Sequence, residues 1–198
     1  MNVVLSVAAF PPLPWLSAVA KAKKSFIERH ENFCKQSYRN RYEIYSANGK
    51  LALSIPIVKN HGLKTPVSEV MIDYSVPWQR IHLHALRSAY GKTPYFIHYM
   101  DEVEEVISEG IPLLWDFNMR TIAMACRWLK ITVPQNTEDY IRNYENAVDL
   151  RDLLHPKKKF DVPMPGYFQP FSPRYGFIAG LSVLDLMFNM GPDAPEYL

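Results

Sequence analysis

The sequence predicts an α/β fold: a single compact domain over residues 1–198, with a mixed sheet that includes a β-hairpin at about residues 36–58 and is flanked by helices. Three observations support this prediction. Residues 3–8 form a short apolar run, which is typical of a buried strand. An Asn-Gly pair at 48–49 separates two stretches of alternating apolar side chains, the pattern of a hairpin. Segments with strand and helix periodicity then alternate along the chain, as α/β folds require.

Composition sets the broad class. The chain has 198 residues, of which 48% are hydrophobic, enough for one sizeable core. Its net charge of +2 is the difference between 22 basic and 20 acidic residues, so charge alone gives no attraction to nucleic acid. Cys34 and Cys126 are far apart, without a secretion signal, and no run of 18 apolar residues occurs. We therefore expect a cytoplasmic protein without a membrane span or a nucleic-acid partner.

The first quarter of the chain supplies a strand, a helix and a second strand. After the strand at 3–8, a proline-rich break leads to apolar residues at helical spacing over 13–24. Residues 25–28 are predicted as the second strand, which leads into the hairpin. Asn48 and Gly49 are predicted as the central pair of a type I′ turn, where both positions need a positive φ.

Two arginines on the first arm of the hairpin suggest an anion site. Period-two alternation would place Arg39 and Arg41 on the same face, about 7 Å apart. Two guanidinium groups at that spacing suit a carboxylate or phosphate, since each can donate two hydrogen bonds. The alternative interpretation is a solvated strand face on which Arg41 pairs with Glu43 or another acid. Glu28 and Glu31 precede this region and are candidate partners or acids.

The remaining elements are mostly helical. Residues 67–73 and 131–133 are predicted strands, and Gly91 is predicted as a left-handed stop. Residues 134–176 are irregular and rich in proline, which indicates a lid-like segment with some helix over 138–151. The predicted helices cover residues 77–90, 101–108, 113–129 and 183–190, the last of them capped by Ser182 and closed by Gly191.

Two titratable residues stand out as catalytic candidates. His82 lies on the apolar face of its helix, where a shifted pKa would suit acid–base work. The alternative is a core histidine hydrogen-bonded to backbone. Asp185 lies in the first turns of an apolar helix, where it could satisfy free backbone amides. Otherwise it needs an arginine or another hydrogen-bond partner there. Gln169, with nearby aromatic residues, could line a pocket. No pattern of metal-ligand spacing occurs, so the sequence predicts no metal and identifies no cofactor.

Four motifs resemble the WbqC-like protein family, in its Bacteroidetes-type branch, and they occur in the family's order. They are KQSYRNRYEI with LSIPIV, then PW…H…L…AYGKTPYF, then YFQPF, then GFIAGLSVLDLMFNMGPDAPEYL. One departure is Ala9-Phe10, where the family usually has Gln-Pro after the first strand. The resemblance implies an α/β fold. The positions that match the family's motifs are Lys35, Asn40 and Arg41, in a K-x(4)-NR pattern, together with His82, Tyr90, Gln169 and Asp185.

The resemblance also implies a role in surface-polysaccharide biosynthesis. The hypothesis is a cytosolic transferase that moves an acyl or aminoacyl group to an amino sugar, with an activated sugar or acyl donor as partner. His82 and Asp185 are its candidate catalytic residues. The alternative is a non-catalytic protein that binds a small anion or nucleotide sugar, or acts as a scaffold. The candidate ligand-binding residues are Lys35, Arg39, Asn40, Arg41 and Gln169.

Overall fold

The computed structural model describes residues 1–58, 64–152, 155–156, 158 and 163–198 and confirms the α/β fold. The strands are β1 (Asn2–Ser6), β2 (Lys24–Glu28), β3 (Arg41–Ser46), β4 (Gly49–Ser54), β5 (Gln135–Asn136) and β6 (Ala147–Asp149). The helices are α1 (Leu13–Lys21), α2 (Trp78–Tyr90), α3 (Phe96–Ser108), α4 (Leu114–Trp128), α5 (Ser172–Tyr175) and α6 (Val183–Met190). Short 3₁₀ helices cover Val67–Glu69 and Gly191–Tyr197.

A parallel sheet lies at the amino-terminal end of the chain. Its strand order is β5-β2-β1-β6, and each neighbouring pair is parallel. The central strand β1 is apolar and buried along its middle, as is typical of a strand whose two faces are covered. Helix α1 connects β1 to β2 and buries Trp15, Leu16 and Val19. Because the four strands are parallel, their carboxyl ends lie together at one end of the sheet, called here the carboxyl edge. Their amino ends lie together at the opposite end, called the amino edge.

The predicted hairpin forms as a separate two-stranded sheet, β3–β4. Its register pairs Ser46 with Gly49, so the turn residues are Ala47 and Asn48. Gly49 has φ +93°, whereas Asn48 does not have a positive φ. The predicted type I′ turn with Asn48-Gly49 at its centre is therefore wrong. The glycine instead supplies the positive φ one position later, at the first residue of β4.

Several other boundaries differ from the prediction. Residues 67–73 form a 3₁₀ turn with isolated bridges rather than a strand, and 131–133 is not a strand. Gly91 is right-handed, with φ −58°. The region 138–151 contains β6 instead of a helix. Residues 153–154, 157 and 159–162 of the predicted lid-like segment lie outside the described residues.

The helices pack around the hairpin and join one apolar core with the sheet. Helix α6 begins with Ser182, whose side chain accepts a hydrogen bond from the Leu184 amide, and ends at Gly191, as predicted. Gly191 has φ +54°, and a Cβ there would lie 2.4 Å from the Tyr95 ring, so only glycine fits. No helix in the described part of the chain has the length and apolar character needed to cross a membrane.

Candidate functional site

The carboxyl edge of the parallel sheet gathers polar side chains from distant parts of the sequence. β1 ends at Ser6, β2 ends at Glu28 and β6 ends at Asp149, and parallel strands bring these ends together. The segment between β2 and β3 adds Glu31 and Arg39 at the same edge, since both contact Ser6. Open α/β sheets bind their ligands at this edge, which makes it the candidate site.

Arg39 and Glu31 form a buried, two-pronged ion pair. The Arg39 Nε donates to one oxygen of Glu31 at 2.8 Å, and its Nη2 donates to the other at 2.6 Å. The same Nη2 donates to the Ser6 hydroxyl at 2.6 Å, and that hydroxyl donates to Glu31 at 3.0 Å. Burial raises the pKa of Glu31, while the Arg39 charge opposes the rise. The pair fixes the end of β1 to the chain that enters the hairpin.

Glu28 and Arg151 form a second cluster beside the first. Glu28 is fully buried and accepts hydrogen bonds from the His30 amide, the hydroxyls of Thr137 and Tyr144, and Arg151. Arg151 also holds Asp149 through two hydrogen bonds of 2.5 and 2.9 Å. Its guanidinium contacts two aromatic rings, those of Tyr140 at 5.4 Å and Tyr144 at 5.1 Å. The hydrogen bonds of this cluster hold the segment between β5 and β6 against the carboxyl edge.

A narrow pocket lies between the two clusters. Ser6, Tyr38, Arg39 and Arg151 line it, with apolar side chains behind them. It has room for about one water molecule. A larger ligand would therefore bind across the mouth of this pocket.

Arg41, the first residue of β3, has spare hydrogen-bonding capacity. Its side chain is 29% exposed, and its nearest acidic oxygen, on Glu43, is 3.7 Å away. Its Nε is buried and has no hydrogen-bond partner among the described residues. Burial raises the pKa of Tyr38, and the charge of Arg41 opposes the rise, so the two side chains are electrostatic neighbours. Tyr38 lines the pocket, whereas Arg41 is not among its lining residues.

The predicted geometry of the arginine pair is wrong, and of the two residues Arg39 lines the pocket. β3 begins at Arg41, so Arg39 precedes the strand and does not share a strand face with Arg41. Arg39 is 6% exposed and committed to Glu31, whereas Arg41 has only the distant contact with Glu43. Arg41 therefore retains more donors for a ligand than Arg39 does.

The neighbouring candidates Lys35 and Asn40 differ in their surroundings. Lys35 is exposed. The side-chain amide of Asn40 donates to the Ile55 carbonyl at 2.9 Å, while its Oδ1 is buried without a partner in the described part of the chain. Asn40 therefore connects the start of β3 to the end of β4 and leaves one acceptor unused.

His82 is buried in the core behind the hairpin. It is 3% exposed; its Nδ1 is 2.9 Å from the Tyr42 hydroxyl, and its Nε2 is 3.2 Å from the Ser54 carbonyl. Burial lowers its pKa to about 4. Tyr42 and Arg41 are successive strand residues and point to opposite faces, so His82 and Arg41 lie on opposite sides of the hairpin. The structure therefore does not bring these two candidates together.

Asp185 and Gln169 form the Asp185 cluster with Tyr90 and Tyr167, beneath the final helix. Asp185 is fully buried and accepts hydrogen bonds from Tyr90 at 2.7 Å, Tyr167 at 2.6 Å and Gln169 at 2.9 Å. Gln169 also exchanges two hydrogen bonds with the backbone of Ile178. Burial raises the pKa of Asp185, and the three donors oppose the rise. The cluster joins α6 to the chain that precedes it.

Sequence reasoning missed Ser6, Arg151 and Tyr144 as members of the site. Ser6 carries a usable signal, since it is the polar residue at which a buried apolar run ends. Arg151 and Tyr144 carry none, because their role depends on β5 and β6, which have no clear periodicity. The structure shows no group of three or more histidine, cysteine, aspartate or glutamate side chains suited to a metal within the residues it describes.

Comparison with known proteins agrees with the motifs. The model of the WbqC-like protein family matches residues 8–155, a span that includes Glu28, Glu31, Arg39 and Arg151 of the carboxyl edge but not Ser6. The chain is similar to "Uncharacterized protein Rv1507c" of Mycobacterium tuberculosis (strain ATCC 25618 / H37Rv), with 23% identity over 94% of this chain and 93% of that protein. No solved structure matches the chain. Since the family match covers well over half of the sequence, this chain belongs to the WbqC-like protein family.

Proposed function

We propose that this protein is a cytoplasmic transferase that moves an acyl or aminoacyl group from an activated donor to an amino sugar used in surface polysaccharide. The substrate class is the one that the resemblance of the motifs to this family implies, and the polar carboxyl edge supports the location of the site. Arg41 binds an anionic group of the donor or of the nucleotide sugar. Arg39, held by Glu31, and Arg151, held by Glu28 and Asp149, line the pocket behind it.

The observation that carries this proposal is that the Arg41 guanidinium makes one long ion pair, with Glu43 at 3.7 Å, and that its Nε has no partner among the described residues. A half-buried arginine with a buried, unpartnered Nε is costly unless something accepts its hydrogen bonds. Glu43 lies beyond hydrogen-bond distance and already accepts from Lys50 at 3.1 Å. A bound anion would supply the missing acceptors, and a guanidinium suits carboxylate and phosphate oxygens.

The test combines binding with product detection. Purified protein is incubated with UDP-linked amino sugars and with acyl-CoA or aminoacyl donors, and the sugar is analysed by mass spectrometry. We expect the mass of one amino sugar to rise by that of the acyl or aminoacyl group. The Arg41→Gln variant should weaken donor or sugar binding by about tenfold, the effect of losing roughly 1.4 kcal/mol.

Arg80→Gln is the matched control, because Arg80 is an exposed arginine on α2, outside the residues that line the pocket. It should leave binding and product formation unchanged. Transfer that proceeds equally well in Arg41→Gln would disprove the proposed role of Arg41. The absence of any mass change across the donors would count against a transferase.

A non-catalytic binding protein is the second candidate, and a specific observation favours it. The two candidate catalytic side chains, His82 and Asp185, are 3% and 0% exposed and already bonded to neutral partners. Neither is exposed at a pocket mouth. A ligand that binds in an Arg41-dependent way and is recovered chemically unchanged would identify this function instead.

A further inference from the structure

A second cavity lies at the amino edge of the parallel sheet, the end opposite the candidate site. It has a volume of about 350 Å³ and lies between the end of α1, the start of β2 and the chain that follows α4. Small-molecule sites commonly measure 300–1,000 Å³, so this cavity is large enough for a compact metabolite. We call it the lysine cleft, after Lys23, Lys24 and Lys130; Ser25, Thr132 and Gln135 are its other polar lining residues.

The lysine cleft carries an uncompensated positive charge. No aspartate or glutamate lines it, and none of its three lysines forms an ion pair with any residue that the structure describes. Helices α1 and α4 both end here, and each helix end contributes a partial negative charge of about half a unit. Three ammonium groups exceed that amount, so the cleft remains positive.

The backbone at Lys130 is held in an unfavourable conformation. Its φ is +56°, a left-handed value that side chains other than glycine and asparagine rarely adopt. The turn that produces this conformation directs the chain away from α4 and along the cleft. A lysine occupies a position that glycine would fill without strain, which is consistent with a use for its charge.

The lining chemistry selects the class of ligand. Lysines present compact charges suited to a phosphate group, whereas hydroxyl and amide side chains suit the hydroxyl groups of a sugar. The lining residues include no aromatic side chain on which a nucleobase could stack. The cleft is concave and of limited volume, which favours a small ligand over a nucleic-acid chain or a membrane surface.

We propose that the lysine cleft binds a small phosphate monoester of the sugar-phosphate class, at a site separate from the carboxyl edge. Lys23 and Lys130 contact the phosphate from the two sides of the cleft, Lys24 adds charge, and Thr132 and Gln135 contact the sugar. This site does not depend on the function proposed for Arg41.

Isothermal titration calorimetry with glucose 1-phosphate tests the proposal, with glucose as the uncharged comparison. We expect binding of glucose 1-phosphate, none of glucose, and a weaker interaction at higher salt because the charges are exposed. The double variant Lys23→Gln/Lys130→Gln should weaken binding by about tenfold or more. The Arg80→Gln/Lys92→Gln double variant removes the same charge from exposed positions elsewhere and should bind within about twofold of the unmodified protein.

Three results would overturn the proposal. The first is the absence of binding heat at about 10 mM glucose 1-phosphate, a concentration well above a millimolar Kd. The second is equal weakening of binding in the two double variants. The third is binding that is lost in Arg41→Gln but kept in Lys23→Gln/Lys130→Gln. The last result would place the phosphate at the carboxyl edge and would support the function proposed there. All four substituted residues are exposed, so the two double variants should unfold at the same temperature as the unmodified protein. Equal unfolding temperatures would show that a loss of binding is not caused by a loss of folded structure.

Discussion

Two clusters that contain buried carboxylates are stabilised in different ways. At the carboxyl edge, Glu28 and Glu31 each accept from an arginine. In the Asp185 cluster, the carboxylate accepts only from uncharged tyrosine and glutamine groups. Neutral partners leave the cost of burying a charge partly uncompensated, whereas a guanidinium favours the ionised form. The Asp185 cluster, like the hydrogen bond between His82 and Tyr42, therefore joins secondary-structure elements through uncharged partners. The carboxyl edge instead holds charged side chains beside a pocket.

The largest effect expected from this comparison follows loss of Arg39. Arg39→Ala leaves Glu31 buried without its charge partner and should lower the free energy of unfolding by about 3–5 kcal/mol. Arg39→Met combined with Glu31→Leu removes both charges and should recover most of that loss. Urea unfolding at neutral pH measures both, and Lys35→Ala, at an exposed position, is the control. A loss of under about 1 kcal/mol in Arg39→Ala would remove the contrast between the clusters.

The next effect concerns His82 and acid. Burial lowers the pKa of His82 to about 4, below the ordinary 6.5, so the unfolded chain binds a proton that the folded chain does not. The stability that His82 contributes is present above pH 6.5 and should fall by about 3 kcal/mol as the pH drops toward 4. The unfolding free energy of His82→Gln should depend less on pH in this window. His84→Gln, at an exposed position of the same helix, should retain the original dependence.

A smaller loss is expected on neutralising Asp185. Asp185→Asn keeps the shape but replaces one acceptor oxygen with an NH₂ group that faces hydroxyl or amide donors. We expect a loss of about 2 kcal/mol, the cost of one buried mismatch. Chemical denaturation measures it, with Asp101→Asn, at an exposed position of α3, as the control. An unchanged midpoint would mean that Asp185 is already protonated and donates a hydrogen bond itself.

The smallest effect distinguishes two tyrosines at the carboxyl edge. Tyr144→Phe removes the 3.0 Å hydrogen bond to Glu28 but keeps the ring near Arg151. We expect a loss of about 1–1.5 kcal/mol, because the accepting group is charged. Tyr140→Phe also keeps its ring near Arg151 and should be close to neutral. Thermal unfolding of the two variants makes the comparison, and equal effects would argue against the hydrogen bond.

Elements with strong local signals were predicted from the sequence, and elements that depend on distant partners were not. Helix α6 has a serine cap, an apolar run and a terminal glycine, and all three signals are local. Strands β5 and β6 have only two and three residues and form because β2 and β1 offer free edges. Such strands have no period of their own.

The candidate site follows the same rule. Arg39 and Arg41 were identified as cations, but the alternation around them suggested a longer strand than the one that forms. Arg39 instead pairs with Glu31, which lies eight residues earlier in a loop. The sequence does not specify the course of that loop. Arg151 meets Glu28 across 123 residues, so its role required the topology. Glu28 and Glu31 were identified only as candidate partners or acids.

The strand order has a consequence for how the sheet assembles. β5 and β6 occupy opposite borders of the sheet, yet they come from one short stretch of sequence. Both borders of the sheet therefore depend on residues 135–149, which lie far along the chain from β1 and β2. A single protease cut between Asn136 and Ala147 would release both outer strands, β5 and β6, from the central pair β1 and β2. The backbone amides of β1 and β2 would then exchange with solvent together.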